Sequence, residues 1–515
     1  MSKALLSKSD KFVSEYCCTV VRIGEIKDIK GKDLIGQTFV NGESIVVRKD
    51  QVEEGDVLIY ASNETQLDKR FLSVNNLFER SCYELNSNAE ETKRYIDGLN
   101  DFILKQKREN RYTEEVFNEM VQNSENIIKS HVGFFNKHGR VRAIRLGGVS
   151  SMGYLFGLYE LTKYNPKASE LNLEAFVGED FDTVDGELFV KAYVPFKEEK
   201  QFKDKTGKRN KRLEGFDRMV KGEFSFHYDT QPLPKCINQI HPDDIVTISL
   251  KIHGTSHICG KVKVKQPIKL PFFQRMVNKA IDITGLFKNK RIIDYELVYG
   301  NVTSSRTVIK NEYINKDVGE GFYEEDIYTK YGELIYPYLD EGMTLYSEIF
   351  GYLTDSQKMI QDSYDYGCIV GRNKIMPYRI TTKNNDGSVK EWNVLEVKRW
   401  TEKLLENNPE LVGIVTPIVV LYHGTLMDLY PTISLQNHWH EEVLYALRKD
   451  SVRFGMEEIE PLCANKVPRE GIVIRIDNDP VAEAYKLKTE KFRKWELKKI
   501  DDGEVDMEMQ LSTET

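Results

Sequence analysis

The chain has 515 residues, 73 of them Lys or Arg and 81 Asp or Glu, giving a formal net charge of -8. Charged residues account for 30% and apolar ones for 40%, which excludes a disordered or collagen-like polymer and predicts roughly two to four globular domains. No run approaches ~18 consecutive apolar residues, so no membrane span is predicted, and the acidic balance argues at first sight against a nucleic-acid partner.

Residues 1–15 read as an N-terminal tail without the apolar stretch of a secretory signal. From residue 16 to about 60 the pattern is all β. Cys18-Thr19-Val20-Val21-Arg22-Ile23 is strand-like, and Asn41-Gly42 between two apolar runs predicts a hairpin, because both turn positions need positive φ. Several short strands separated by turns predict a small barrel. Over residues 88–130 the apolar period becomes helical, with Thr113 before Glu114 and Glu115 as a helix start, which predicts a helical insertion. Arg140, Arg142 and Arg145 then lie in a segment that returns to strand character.

Residues 197–212 hold eight basic against three acidic side chains and predict a solvated linker, placed at 196–215. A first domain over 16–195 and a second over 216–500 follow, the second alternating strands and helices as one mixed α+β domain. Residues 261–300, rich in Lys and aromatics with Phe272 and Phe273, read as a surface helix pair in preference to an insertion near the substrate groove. An acidic tail, 501–515, closes the chain.

Several chemistries are excluded. There is no P-loop and no H-E-x-x-H, and Gly148-Val149-Ser150-Ser151-Met152 misses the G-x-S-x-G elbow by one position. His438 and His440, with Cys463 as a further ligand, lack a second pair at zinc-ligand spacing, so Asn437 is read as a helix start instead. Seven cysteines without a C-x-x-C motif predict reduced, intracellular thiols.

One ordered set of residues carries chemistry. Lys251 ends a β-branched run just before His253-Gly254-Thr255, where a strand end and tight turn hold a side chain rigidly towards a ligand. Glu348 sits inside an otherwise apolar strand, Glu470 starts the run Gly471-Ile472-Val473-Ile474-Arg475, and Lys486 and Lys488 share one face of a later strand. Positive charges beside Lys251 would favour its nucleophilic amine and neutralise phosphate oxygens, while isolated carboxylates suit Mg²⁺.

The order K-x-x-G, strand Glu, E-G-I-V-I-R, K-x-K resembles the covalent nucleotidyltransferase superfamily of ligases and capping enzymes. The resemblance implies a ligase-type domain of antiparallel sheets flanked by helices, ATP as the nucleotide, and Mg²⁺ or Mn²⁺. It implies Lys251 as the nucleophile that carries AMP, and Lys486 and Lys488 as catalytic lysines that orient the phosphates. It further implies nucleotide contacts from Gly254, Arg306, Glu348, Tyr378 and Glu470, with Tyr378 stacking on the base and Glu470 and Glu348 binding metal.

His253, where DNA ligases typically carry Asp, and the ~27 residues after Lys488, too few for a C-terminal OB domain, look more like ATP-dependent RNA ligases with an N-terminal OB module. On that resemblance the first domain is an OB-like β-barrel that binds RNA, with Arg140, Arg142 and Arg145 as its contacts. The expected substrate is RNA with 3′-hydroxyl and 5′-phosphate ends. A monomer in the cytoplasm, or in a host cytoplasm if phage-encoded, is expected. A DNA ligase, a guanylyltransferase and an inactive RNA-binding relative stay open as alternatives. Leu250 departs from the Glu that family members often place before the nucleophile to read adenine. The charge objection weakens by position: residues 486–499 hold seven basic against two acidic side chains, whereas 501–508 hold five acidic ones.

Overall fold

A computed structural model describes residues 5–109, 111–193, 216–227, 230–284, 292–314, 325–433, 439–456, 458–477 and 483–501. The expected linker, nearly all of the acidic tail, Asn437 and His438 lie outside the described residues. The chain divides into two compact units, Met1–Pro195 and Phe196–Thr515. Among the described residues no helix is long and apolar enough to cross a membrane.

In the first unit, β1 (Cys18–Arg22), β2 (Lys32–Val40), β3 (Glu43–Arg48) and β4 (Val57–Ala61) form antiparallel ladders, β1 with β4 and β2 with β3. The β2–β3 turn has Asn41 at φ 50° and Gly42 at φ 72°, the paired positive values of a tight hairpin. Helices α1 (Ala89–Glu109) and α2 (Glu114–Ser130) follow, and the Thr113 side chain caps α2 by accepting from the Val116 amide. Strands β5 (Ala143–Leu146) and β6 (Val149–Met152) form a further hairpin. The apolar interior gathers Val20, Ile59, Phe71, Phe135, Phe156 and Phe189.

Two expectations for this unit are corrected. The strands do not close into a barrel, because β3 meets β6 through side chains rather than through a ladder: Ser44 Oγ donates to the Ser150 carbonyl at 2.6 Å and the Val46 amide donates to Ser151 Oγ at 3.0 Å. Nor is the whole of 1–15 a tail, since Leu6 and Ser7 pair with Val184 and Thr183, burying the Leu6 side chain in the interior.

The second unit is built on two five-stranded sheets. One runs Gln231–Pro232, β16 (Glu483–Lys488), β15 (Gly471–Ile476), β9 (Ile245–Lys251) and β14 (Val420–Thr425). The other runs β11 (Tyr295–Ser305), β10 (Thr255–Pro267), β12 (Met343–Gly351), β13 (Asn373–Lys383) and Val389–Glu391. Strand β9 is buried on both faces, as its unbroken apolar and hydroxyl-bearing run requires. Helices α4 (Ile327–Ile335) and α5 (Val394–Asn407) cover the second sheet, and α7 (Glu490–Asp501) ends the described chain. The expected helix pair over 261–300 is corrected. β10 and β11 pair from His257–Ser305 out to Pro267–Tyr295, and α3 (Phe272–Thr284) lies between them. Alternating Val262 and Val264 give those residues a strand period, with both side chains buried beside Val302.

Candidate nucleotide-binding site

The register of the first sheet assembles the lysines. Lys251 on β9 lies opposite Gly471 on β15, which lies opposite Lys488 on β16, so the three form one rung. Two residues along, Ser249, Val473 and Lys486 form the next rung on the same face. Lys486 and Lys488 share the half-exposed face of β16, while Tyr485 and Leu487 are buried on the other, as period-two alternation dictates.

Glu470 precedes Gly471 and is almost wholly buried, with Oε1 2.8 Å from Lys251 Nζ. Burial by itself pushes this carboxyl up, but the ammonium of Lys251, the nearby His253 ring and the ammonium of Lys488 hold it below the usual carboxylate range. Its other oxygen, Oε2, is buried without a hydrogen-bond partner and lies 4.0 Å from His253 Nδ1.

The turn after Lys251 is fixed from several sides. The Gly254 amide donates to Glu348 Oε1 at 3.0 Å, and Gln361 Nε2 donates to the Gly254 carbonyl at 2.7 Å. A Cβ at Gly254 would stand 2.4 Å from the Ile349 carbonyl oxygen, so only glycine allows this approach to β12. The His253 amide donates to Tyr366 Oη at 2.8 Å, and the His253 ring is walled by Tyr364, Phe492 and Trp495.

Tyr378 owes its position to a bulge. Across β12 and β13, Tyr346 faces Arg379 while Ser347 faces Pro377, leaving Tyr378 as the extra residue. Pro377 has no amide to give to the ladder, and such bulges re-aim a side chain. The His227 ring packs edge-on against Tyr378 with centroids 5.3 Å apart.

One cavity joins these groups. Lys251, Arg306, Glu348, Tyr378 and Lys486 all line it, with apolar walls from Leu250, Met376, Val394, Ile418 and Val473. An apolar slot ending in lysines, an arginine and a carboxylate suits a flat base joined to phosphates. Gly254 and Glu470 stand behind this lining, bound to Glu348 and Lys251 respectively. Lys488 is not among the lining residues; its ammonium is held by Glu496 of α7.

The buried, unpartnered Oε2 of Glu470 and the carboxylate of Glu348 are hard oxygen donors of the kind a divalent cation takes. Among the described residues no group of three or more His, Cys, Asp or Glu is placed to hold a metal by itself.

Sequence reasoning missed Gln361, Tyr364, Tyr366 and Glu496, which hold the Lys251 turn and Lys488 from distant segments. Only the Tyr364-x-Tyr366 alternation carries any local signal. In the first unit, Arg140 is corrected as an RNA contact: it is buried, with Nη2 2.9 Å from Glu64 Oε2. Arg142 is partly exposed 3.6 Å from Glu79, and Arg145 is exposed on β5.

No protein-family model and no curated protein matches this chain. Among solved structures it is similar to RNA ligase from Naegleria gruberi. A variant with ATP and Mn is 14% identical at a TM-score of 0.49, covering 95% of this chain and 100% of that one. A second variant, with AMP and Mn, is 14% identical at a TM-score of 0.48 over 94% and 99% of the two chains. The same ligase with pyrophosphate is 14% identical at a TM-score of 0.47 over 95% and 100%.

Proposed function

We propose that this chain is an ATP-dependent RNA ligase that joins 3′-hydroxyl and 5′-phosphate RNA ends. The observation that carries the reading is the convergence of Lys251, Arg306, Glu348, Tyr378 and Lys486, from five separate segments, on one cavity with Glu470 paired to Lys251 behind it. Lys251, having given up a proton to solvent, attacks the α-phosphorus of ATP. A nitrogen–phosphorus bond forms and the bond to pyrophosphate breaks. AMP then passes from Lys251 to a 5′-phosphate end, and a 3′-hydroxyl displaces AMP as the phosphodiester closes.

Lys486 and Arg306 neutralise charge on the transferring group, and Lys488 joins them when nucleotide is bound. Tyr378 stacks on the base against the aliphatic wall around Val473. Mg²⁺ or Mn²⁺ would be held by Glu470 and Glu348 with phosphate oxygens, where it would offset the phosphate charge. The first unit is read as an OB-like module that holds RNA, with Arg142 and Arg145 as its phosphate contacts.

Incubation with α-labelled ATP or GTP and Mg²⁺ or Mn²⁺, followed by a denaturing gel, tests this. A labelled protein band with ATP that vanishes in Lys251→Ala is expected. No band with either metal sinks the enzymatic reading, and a band with GTP alone sinks the ATP assignment. Nicked RNA, RNA–DNA hybrids, single strands and DNA assayed side by side define the substrate.

A further inference from the structure

Lys488 lies in the same rung as Lys251, yet its ammonium is turned to a carboxylate. Nζ is 2.9 Å from Glu496 Oε1 and 3.1 Å from Oε2, and it sits 5.4 Å over the Phe492 ring. Both partners belong to α7, which starts after a single residue, Thr489, beyond β16. The pair is largely shielded, with Lys488 19% and Glu496 14% exposed, so it is not a surface ion pair of negligible weight. Lys486, two residues back on the same strand face, lines the cavity, whereas Lys488 does not.

The helix that supplies Glu496 also touches the nucleophile's turn. Phe492 and Trp495 lie 5.1 and 6.1 Å from the His253 ring, and the Thr489 amide donates to the Glu470 carbonyl at 2.8 Å. A change at Lys488 is therefore felt by the elements that carry Lys251 and Glu470.

We propose that Glu496 stands in for phosphate at Lys488, withholding this lysine from the cavity until a nucleotide polyphosphate displaces the carboxylate. The proposal rests on the ligase reading and adds a residue that sets nucleotide affinity. A bidentate carboxylate is the geometric analogue of two phosphate oxygens, so the two anions compete for the same donors. The free energy of the Lys488–Glu496 pair is lost when nucleotide takes the lysine, and it is subtracted from nucleotide binding.

Calorimetric titration of the full chain with α,β-methylene-ATP and Mg²⁺, whose methylene bridge blocks transfer, tests this. Glu496→Gln is expected to tighten binding by about three- to tenfold, the net weight of one ordinary hydrogen bond. Glu496→Asp should stay near wild type, as should Glu490→Gln, which removes an exposed carboxylate of the same helix. In a Lys488→Ala background the Glu496→Gln gain should vanish, because the competition it relieves is gone. Unchanged or weaker binding by Glu496→Gln overturns the proposal, and so does a gain that persists without Lys488. Failure of the wild-type protein to bind the analogue overturns the ligase reading itself.

Discussion

Lys251 and Glu470 meet at 2.8 Å because Gly471, the residue after the glutamate, lies directly across the ladder from the lysine. The carboxylate holds the ammonium in place, and Lys251 itself lines the cavity whereas Glu470 does not. Replacing Glu470 with Gln keeps the shape and removes the charge that opposes Lys251. Covalent labelling from α-labelled ATP is expected to fall about 100-fold, a loss of roughly 3 kcal/mol in the barrier. Circular dichroism should be unchanged. A variant that labels at the wild-type rate would show that the ion pair has no part in the reaction.

Gly254 ties the nucleophile's turn to the second sheet. In Gly254→Ala the new methyl would meet the Ile349 carbonyl oxygen at 2.4 Å and the Glu348 Cγ at 2.8 Å, so the turn must move. Overpacking of this kind costs about 1–3 kcal/mol. A lower melting temperature together with at least about tenfold slower labelling is expected. Normal labelling at a normal melting temperature would refute the tight fit.

The first-unit arginines should separate by role. Arg140→Ala removes the buried cation opposite Glu64, a change that costs about 3–5 kcal/mol, read in urea unfolding. Arg145→Ala lies on an exposed edge and should alter stability by less than about 0.5 kcal/mol. RNA titrated at several salt concentrations should bind Arg145→Ala more weakly, with a salt slope shallower by roughly one unit. Unfolding data in which the two variants cannot be told apart would contradict the buried pairing.

His257 is fully buried beside Ser347, and burial pushes its pKa down to about 4 from 6.5. The unfolded chain takes up this proton first, so stability is full above pH 6.5 and falls as pH drops towards about 4, where the loss levels off. The total loss is on the order of 3 kcal/mol. Urea midpoints of the wild type should fall more steeply between pH 7 and 5 than those of His257→Gln. Equal slopes would exclude His257 as the source.

Local physics made part of this molecule legible. The Asn41-Gly42 hairpin and the Thr113 helix cap depend on neighbouring residues alone, so composition and spacing sufficed. The alternation around Lys486 and Lys488 likewise placed both on one face of a strand. The hairpin over 261–305 was harder, because its Lys and aromatic side chains mask a strand period that only the buried valines reveal.

The order of motifs along the chain determined which side chains were candidates: Lys251, Arg306, Glu348, Tyr378, Glu470, Lys486 and Lys488. Tertiary structure decided their states. Ladder register set Lys251 against Glu470, a proline-associated bulge turned Tyr378 into the cavity, and α7 brought Glu496 to Lys488. It also took Arg140 out of contention by pairing it with Glu64 in the interior. A charge in a sequence has no partner until the fold chooses one, and pairing and burial fix whether that charge faces a ligand or the core.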